Sequence, residues 1–158
     1  MAREHRYTVE IEWTGNRGTG TSSYRAYDRD HAVRAPGKSP IAGSSDPSFR
    51  GDGTRWNPEE LLVVSLSQCH MLWYLHLAAE AGIAVLAYRD APEGVMVETS
   101  DGGGKFSAVI LKPQVTVAAG ADPERALALH HDAHEKCFIA NSVNFPVGCA
   151  PGCTVEGG

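Results

Sequence analysis

Apolar and polar residues alternate strictly near the start of the chain, from residue 6 to residue 13. The apolar positions all fall on one face of an extended backbone: Tyr7, Val9, Ile11 and Trp13. This period of two predicts a half-buried strand over residues 6–13. A glycine-containing turn at residues 14–18 follows, and we predict that residues 19–27 return as the second strand of a hairpin.

The chain changes character at Asn57. It is preceded by a stretch over residues 34–56, rich in Pro and Gly, which we expect to form a long loop with one short strand. Asn57 is a favourable N-cap, Pro58 suits the first helical position, and Glu60 completes a capping box. These signals predict a central helix over residues 57–82, ending at a glycine.

The central helix is apolar on nearly every side, because leucine, valine, tryptophan and tyrosine recur without a clear polar face. A helix with this pattern is expected to be buried on most sides. A domain of this size has too little chain to wrap it alone, so we predict a homodimer in which a partner covers part of the helix. Ser65, Gln68 and His70 interrupt the apolar run, which makes it too polar for a predicted membrane span.

The rest of the chain alternates strand signals with one further helix signal. Residues 83–118 hold three candidate strands, at 83–90, 94–99 and 106–117, with a glycine-rich turn between the last two. Asp122 and Pro123 open a predicted second helix over residues 122–137. Residues 142–156 are expected to close a sheet. This order of elements predicts an α+β fold with mainly antiparallel sheets.

Composition and charge narrow the functional class. The 158 residues carry a formal charge of −5 and no basic cluster, and 42% of them are hydrophobic. The length suits one ordinary domain spanning residues 1–158. An acidic surface disfavours nucleic-acid binding, because it repels the phosphate backbone. The first residues contain no apolar segment typical of a signal peptide, so we expect a cytoplasmic protein.

The chain contains four cysteines, and their chemistry is the central functional question. They are Cys69, Cys137, Cys149 and Cys153. In a reducing cytoplasm such thiols fill the core, bind metal or carry out redox chemistry. His130 and His134 share one stripe of the second helix with Cys137, and a zinc site that adds the two C-terminal cysteines is conceivable. The spacing is not a known zinc signature, and buried histidines such as His70 and His76 are more often ordinary core residues.

Two short sequence motifs are more specific evidence of function than the composition. The sequence Asn57-Pro58-Glu59-Glu60-Leu61-Leu62 precedes Cys69, and Cys137 opens the block Cys-Phe-Ile-Ala-Asn-Ser. Together they resemble the OsmC/Ohr family of osmotically inducible and organic-hydroperoxide-resistance proteins, and the CFIANS block resembles its OsmC-like subgroup. The similarity extends over the whole chain, with the N-terminal hairpin and loop at 1–56. It implies the OsmC-like fold, with antiparallel sheets around two long central helices in an intertwined homodimer.

The resemblance also implies a function in the oxidative stress response. Cys69 corresponds to the peroxidatic cysteine, which reduces an organic hydroperoxide to an alcohol and becomes a sulfenic acid. Cys137 corresponds to the resolving cysteine, which forms a redox-active disulfide with it. A lipoyl-type dithiol is the implied reductant, and no metal or other cofactor takes part. Phe138 departs from the family, whose peroxidases usually have proline at this position.

Glu59 matches the functional glutamate of the family, which acts with an arginine. We favour Arg50 for this partner, and Arg17 and Arg55 remain alternatives. Glu59 and Cys69 are ten residues apart on one helix, or about 15 Å along its axis. They cannot touch within one chain, so a shared site requires Glu59 from a second subunit.

Two other interpretations stay open at this stage. The protein could be a non-catalytic thiol- or metal-binding stress protein, or a structural dimer with inert cysteines. Under the peroxidase interpretation, the apolar residues Leu66, Leu72 and Trp73 near Cys69 favour a bulky organic hydroperoxide over hydrogen peroxide.

Overall fold

The computed structural model describes residues 2–158. Within them the chain divides into two compact units, the first ending at Leu61 and the second running from Leu62 to Gly158. The units contain sheets together with two α-helices, which makes the fold a mixed α+β one, as predicted.

The first unit contains one antiparallel sheet of three short strands in sequential order. These are β1 (Glu10–Trp13), β2 (His31–Arg34) and β3 (Ile41–Gly43). The prediction that β1 pairs with residues 19–27 is wrong, because its partner is β2. The Asn16 side chain accepts hydrogen bonds from the backbone N–H groups of Gly18 and Gly20, both 2.9 Å long. A polar turn that uses these donors leaves fewer of them for a strand ladder.

The apolar face of β1 is not buried within the chain, contrary to the prediction of a half-buried strand. All four residues of β1 are exposed, and Ile11 retains 66% of its accessible surface. A three-stranded sheet with strands this short has little chain around it to cover a face. Contiguous exposed apolar residues of this kind are typical of interaction surfaces.

The long loop before the central helix holds one short strand, β3, as predicted, and also one turn of 3-10 helix at Pro47–Phe49. The Asp46 carboxylate caps this turn by accepting from the Ser48 backbone N–H at 2.7 Å. Arg50 ends it with φ 63°, the only positive φ of a non-glycine residue within residues 2–158. Strained backbone of this kind is commonest at functional positions.

The central helix, α1, spans Pro58–Glu80, close to its predicted bounds. The capping box is present: the Asn57 side chain accepts from the Glu60 N–H at 2.8 Å, and the Glu60 carboxylate accepts from the Asn57 N–H at 3.1 Å. At the other end Gly82 has φ 72°, and the Ile83 N–H donates to the Ala78 carbonyl. This is a Schellman ending, which requires a glycine to avoid Cβ strain.

The second unit contains two sheets and one further helix. Its remaining elements are β4 (Val85–Arg89), β5 (Glu93–Glu98), β6 (Gly104–Leu111), β7 (Gln114–Val117), α2 (Pro123–Lys136), β8 (Val147–Cys149) and β9 (Gly152–Val155). One sheet has the order β4-β7-β9 and the other has the order β5-β6-β8. A second short 3-10 turn, Ala140–Ser142, follows α2.

The strand predictions for this unit need two corrections. The predicted strand at 106–117 is divided into β6 and β7, because Pro113 has no N–H to contribute to a ladder. The sheets are also less antiparallel than expected: β8 pairs with β6, and β9 with β7, in parallel. The glycine-rich turn between β5 and β6 and the Asp122 cap of α2 agree with prediction.

Only one stripe of α1 is fully buried, although its apolar pattern predicted burial on most sides. Leu66, His70, Tyr74 and Ala78 form this stripe at a spacing of four residues. By length and composition alone, α1 is long and apolar enough to span a membrane. The mean hydropathy of its most apolar window is 1.3. The polar residues noted in the sequence therefore do not rule out a span by composition. One such helix is weak evidence for insertion, because core helices pass the same test.

Candidate functional site

Two neighbouring residues of α1, Cys69 and His70, each take part in a different group of reactive side chains. Consecutive residues of an α-helix point about 100° apart, so they face different surroundings. Cys69 contacts Cys137, and we call these two residues the cysteine pair. His70 lies with His130 and Cys149, and we call these three residues the imidazole–thiol cluster. Both groups lie within the second unit.

The cysteine pair joins the middle of α1 to the end of α2. Cys137 is the C-cap of α2, and its thiol lies close enough to that of Cys69 for the neighbouring thiol to raise its pKa. The backbone N–H of Ala140 donates to the Cys137 sulfur at 3.4 Å, which orients the sulfur from the side of the second 3-10 turn. Both thiols are free. The structure therefore brings together the two cysteines that the family resemblance singled out.

The two thiols of the pair differ in their access to solvent. Cys69 is half-buried, whereas Cys137 keeps only 1% of its accessible surface. Burial raises the pKa of the Cys137 thiol to about 11, and the contact with Cys69 raises it further against the opposing effect of the Ala140 N–H. Cys137 is thus protonated at neutral pH and shielded, and Cys69 is the member that a dissolved molecule can reach.

An apolar depression of about 290 Å³ is lined by four residues that are near a member of the cysteine pair in sequence: Leu72, Trp73, His76 and Phe138. Leu72 and Trp73 are three and four residues after Cys69 on α1, and Phe138 directly follows Cys137. The rings of Trp73 and Phe138 pack edge to face with centroids 5.6 Å apart. Leu66, which we expected near the substrate, is instead fully buried in the core around β6.

The imidazole–thiol cluster lies in the interior. His70 and His130 are 1% and 3% exposed. Their rings lie nearly in one plane, 3° apart, with His70 Nε2 and His130 Nδ1 facing each other at 3.0 Å. The Cys149 sulfur is 3.9 Å from His70 Nε2. The arrangement fits one proton shared between the two rings and a thiol close to the same point.

Burial makes both histidines of the cluster neutral at pH 7. It lowers the pKa of His70 to about 4, with a further lowering from His134 and an opposing effect of Asp90. It lowers the pKa of His130 to about 4 as well, and His70 adds to this shift. Burial and the Asp90 carboxylate raise the pKa of Cys149 to about 11. Cys149 is therefore not an activated nucleophile, and the cluster is not a Cys–His hydrolytic site.

The cluster is also incompletely hydrogen-bonded. Across residues 2–158, the buried side-chain nitrogens and oxygens without a partner are His70 Nδ1, His130 Nε2 and the Tyr88 hydroxyl. The Tyr88 ring lies 6.5 Å from that of His130, so all three belong to one region. An unsatisfied buried polar group costs about 1–3 kcal/mol. Such groups in a native fold call for an explanation, for which an ordered water or a bound ion is sufficient.

The other predicted site residues belong to the first unit. Glu59 occupies the first turn of α1 and is half-buried. Arg55 donates to the backbone carbonyls of Gly43 and His31, at 2.8 and 2.9 Å, and so has a structural role. Arg17 donates to the Arg25 carbonyl and lies 3.6 Å from the Asp28 carboxylate. Arg50 is exposed. Of the three arginines, it remains our prediction for the partner of Glu59.

The metal-binding residues suggested by the sequence are only partly together. His130 and Cys149 meet, but Cys137 contacts Cys69 instead, and Cys153 packs against the core that contains Tyr74. His70, expected as an ordinary core histidine, was the member missed. The signal was available: His70 is the polar member of a stripe whose other residues, at a spacing of four, are apolar.

Comparisons with known proteins show the family and the fold of the chain. A sequence model of the OsmC-like protein family matches residues 51–149. An OsmC-like protein of unknown function from Vibrio cholerae is similar in structure, with a TM-score of 0.85, 30% identity, and coverage of 94% of this chain and 99% of that one. Comparison with curated proteins finds no match.

Two structures named as organic hydroperoxide resistance proteins share the fold. The OsmC protein from Legionella pneumophila has a TM-score of 0.68 at 22% identity, covering 96% of this chain and 100% of its own. OhrB of Bacillus subtilis has a TM-score of 0.59 at 19% identity, covering 94% and 98%. The matched segment contains Glu59, both members of the cysteine pair and the whole imidazole–thiol cluster. The chain belongs to the family of OsmC-like proteins.

Proposed function

We propose that the protein is a cysteine-based peroxidase that reduces organic hydroperoxides to alcohols. The observation that carries this proposal is the contact between two free thiols of unequal exposure, half-buried Cys69 and buried Cys137. A peroxidatic thiol must meet its substrate, whereas a resolving thiol needs only to meet the oxidised partner. The unequal exposure suits this division of roles.

The first step is attack by the Cys69 thiolate on the O–O bond of the hydroperoxide. The sulfur takes the terminal oxygen and becomes a sulfenic acid, and the other oxygen leaves as an alkoxide that is protonated to the alcohol. We assign stabilisation of the thiolate and of the departing oxygen to Arg50, held by Glu59, on the basis of the family resemblance. Glu59 lies too far along α1 to reach Cys69 of its own chain, so the proposal includes a homodimer.

The second step is condensation of the two cysteines. Cys137 attacks the sulfur of the Cys69 sulfenic acid, which forms the disulfide and releases water. Since Cys69 already lies close enough to raise the pKa of Cys137, this step needs no large movement of α1 or α2. A dithiol reductant of the lipoyl type then exchanges with the disulfide, restores both thiols and leaves as its own disulfide. We place this cycle in the cytoplasm.

The apolar depression supports an organic rather than a purely inorganic substrate. Leu72, Trp73 and Phe138 present apolar surface next to Cys69, where an alkyl or aryl group of the hydroperoxide would lie. The family neighbours from Legionella pneumophila and Bacillus subtilis carry the name of organic hydroperoxide resistance, which points the same way. The neighbour from Vibrio cholerae has no stated function.

The test is steady-state turnover of cumene hydroperoxide with reduced lipoamide as the electron donor. We expect Cys69→Ser to reduce kcat/KM by more than about 1000-fold, since it removes the nucleophile. Cys137→Ser should complete one reduction and then stop at the sulfenic acid. Cys153→Ser is the matched control, because this thiol lies outside the cysteine pair. Equal activity of Cys69→Ser and the unaltered protein would overturn the proposal.

A further inference from the structure

Three side chains from three elements converge in the interior of the second unit: His70 from α1, His130 from α2 and Cys149 from the end of β8. One donor atom of each lies within 4.8 Å of the other two. We propose that this imidazole–thiol cluster is a binding site for Zn²⁺ or a cobalt ion of similar preference. This site is separate from the cysteine pair and does not depend on the peroxidase proposal.

The donor set points to this class of metal. Two imidazole nitrogens and one thiolate sulfur are borderline-soft ligands, which favour zinc over magnesium or calcium. Magnesium and calcium require oxygen ligands, and the three convergent side chains offer none. The nearby Asp90 carboxylate is occupied, since it accepts hydrogen bonds from the Ser67 hydroxyl at 2.6 Å and the Lys112 N–H at 2.7 Å.

The spacing of the donor atoms is close to what zinc needs. Zn–N bonds of about 2.0–2.1 Å and Zn–S bonds of about 2.3 Å place neighbouring donors roughly 3.3–3.7 Å apart in a tetrahedral site. His70 Nε2 lies 3.0 Å from His130 Nδ1 and 3.9 Å from the Cys149 sulfur. Binding thus requires the two rings to separate slightly and to tilt out of their common plane until both nitrogens face the metal.

The protons of the cluster can be accounted for. As neutral imidazoles, His70 and His130 each carry one proton, and the facing geometry places one of these between the rings. When the metal binds, that proton moves to the outer nitrogen of its own ring. The Cys149 thiol releases its proton to solvent and becomes the thiolate ligand. No electron is transferred.

A fourth coordination position is accessible from outside. His130 and Cys149 line a cavity of about 320 Å³ together with His134, which follows His130 by one helical turn. The cavity provides a path by which an ion reaches the buried cluster. His134 is half-buried at its edge, and we assign it or a water molecule as the fourth ligand. Three protein ligands from histidine and cysteine side chains with an open fourth position are a known type of zinc coordination.

The presence of two imidazoles and a thiol together in the interior supports a ligand-binding role over a purely structural one, with the metal held by the facing nitrogens, His70 Nε2 and His130 Nδ1. Apolar side chains would fill the same interior without leaving His70 Nδ1 and His130 Nε2 unsatisfied. The stripe of α1 is otherwise apolar or hydrogen-bonded, since the Tyr74 hydroxyl donates to the Ala126 carbonyl at 2.9 Å. Only at His70 does this stripe depart from ordinary core chemistry.

The decisive experiment uses a variant in which Cys149 is the only cysteine: Cys69→Ser, Cys137→Ser and Cys153→Ser together. The full chain is kept reduced with a phosphine, freed of metal with a chelator, and titrated with Co²⁺ as a spectroscopic probe. We expect one Co²⁺ per chain, a thiolate-to-cobalt charge-transfer band and the intense visible bands of tetrahedral coordination. Since no other thiol is present, such a band identifies Cys149 as a ligand.

Two further variants test the other predictions of the site. Cys149→Ala in the unaltered background should remove the charge-transfer band, and His130→Gln should weaken Co²⁺ binding by more than about 100-fold. His76→Gln is the matched control, because His76 lies on the exposed side of α1. The proposal is overturned if the folded single-cysteine variant shows no thiolate band, whether or not Cys149→Ala and His130→Gln fold. It is equally overturned if the band persists in folded Cys149→Ala.

Discussion

The cysteine pair and the imidazole–thiol cluster begin at adjacent residues of one helix, yet their environments suit opposite kinds of chemistry. Cys69 meets a second thiol beside an exposed apolar depression, where a substrate can arrive and a product can leave. His70 faces the interior, where burial keeps its partner imidazole neutral and its partner thiol protonated. Cys69 and Cys149 are both half-buried, so the comparison shows that its neighbours determine what a thiol can do: Cys69, next to a second thiol, can form a disulfide, and Cys149, next to two buried imidazoles, can hold a ligand.

The strongest test of this contrast is selective oxidation of the reduced, metal-free protein by one equivalent of cumene hydroperoxide. We expect a loss of two hydrogens in a linked Cys69–Cys137 peptide and an intact thiol at Cys149. The physical reason is that Cys149 has no neighbouring thiol in the cluster and is protonated. Peptide mass spectrometry measures the outcome. A disulfide that includes Cys149 would contradict the assignment of redox chemistry to the cysteine pair alone.

The next test uses pH. In the folded protein the pKa of His70 and of His130 is lowered to about 4, against 6.5 for the unperturbed group. Between pH 4 and 6.5 the unfolded chain therefore binds more protons. Stability is complete above pH 6.5 and falls as the pH decreases through this window, by on the order of 3 kcal/mol for each histidine.

Urea unfolding of metal-free protein at several pH values measures this effect. His130→Gln should flatten the dependence of the unfolding free energy on pH, since it removes one of the two buried histidines. His76→Gln is the matched control, a histidine replaced at an exposed position of the same helix. Equal slopes in all three proteins would mean that the cluster does not titrate as described.

Zinc should stabilise the protein through the cluster and not through the cysteine pair. At a free zinc concentration of 100 times the dissociation constant, binding to the folded state alone adds about 2.7 kcal/mol to the unfolding free energy. Thermal or urea unfolding with and without zinc measures the difference. Cys137→Ser should retain the gain and Cys149→Ser should lose it. The reverse pattern would assign the metal to the cysteine pair.

The smallest expected effect concerns the depression beside the cysteine pair. Phe138 is 68% exposed and packs against Trp73, so Phe138→Ala removes apolar contact for a bulky hydroperoxide without opening the core. We expect kcat/KM for cumene hydroperoxide to fall about 5–10-fold, or about 1–1.4 kcal/mol, and that for hydrogen peroxide to change little. An equal fall for both substrates would mean that Phe138 acts on Cys69 rather than on the alkyl group.

The sequence predicted the bounds of a helix well where the residues at its ends make capping hydrogen bonds. The bounds of α1 followed from Asn57, Glu60 and Gly82, because these side chains and the glycine backbone satisfy the helix ends directly. The partner of β1 was not predictable in this way. Pairing with β2 across the polar turn at Asn16 depends on contacts distant in sequence, and the strand predicted directly after the turn, at residues 19–27, was not the partner.

The site was predicted in the same uneven way. Cys69 and Cys137 followed from motif similarity, and the structure places their thiols in contact. His70 was not predicted as a member of the imidazole–thiol cluster, because His130 and Cys149 are 60 or more residues from it along the chain and share no motif spacing with it. Distances of this kind follow from the packing of α1 and α2 against a parallel strand, which the sequence pattern did not indicate.

The parallel pairing in the second unit has a consequence for how the chain length can vary during evolution. Val109 pairs with Val147 and Gln114 with Gly152, so the partners are 38 positions apart on both sides of the breaks at Pro113 and Pro151. A residue inserted at one break would shift the register by one and turn the side chains of β7 or β9 to the opposite face. A compensating insertion at the other break would restore it, so the two breaks can lengthen only together.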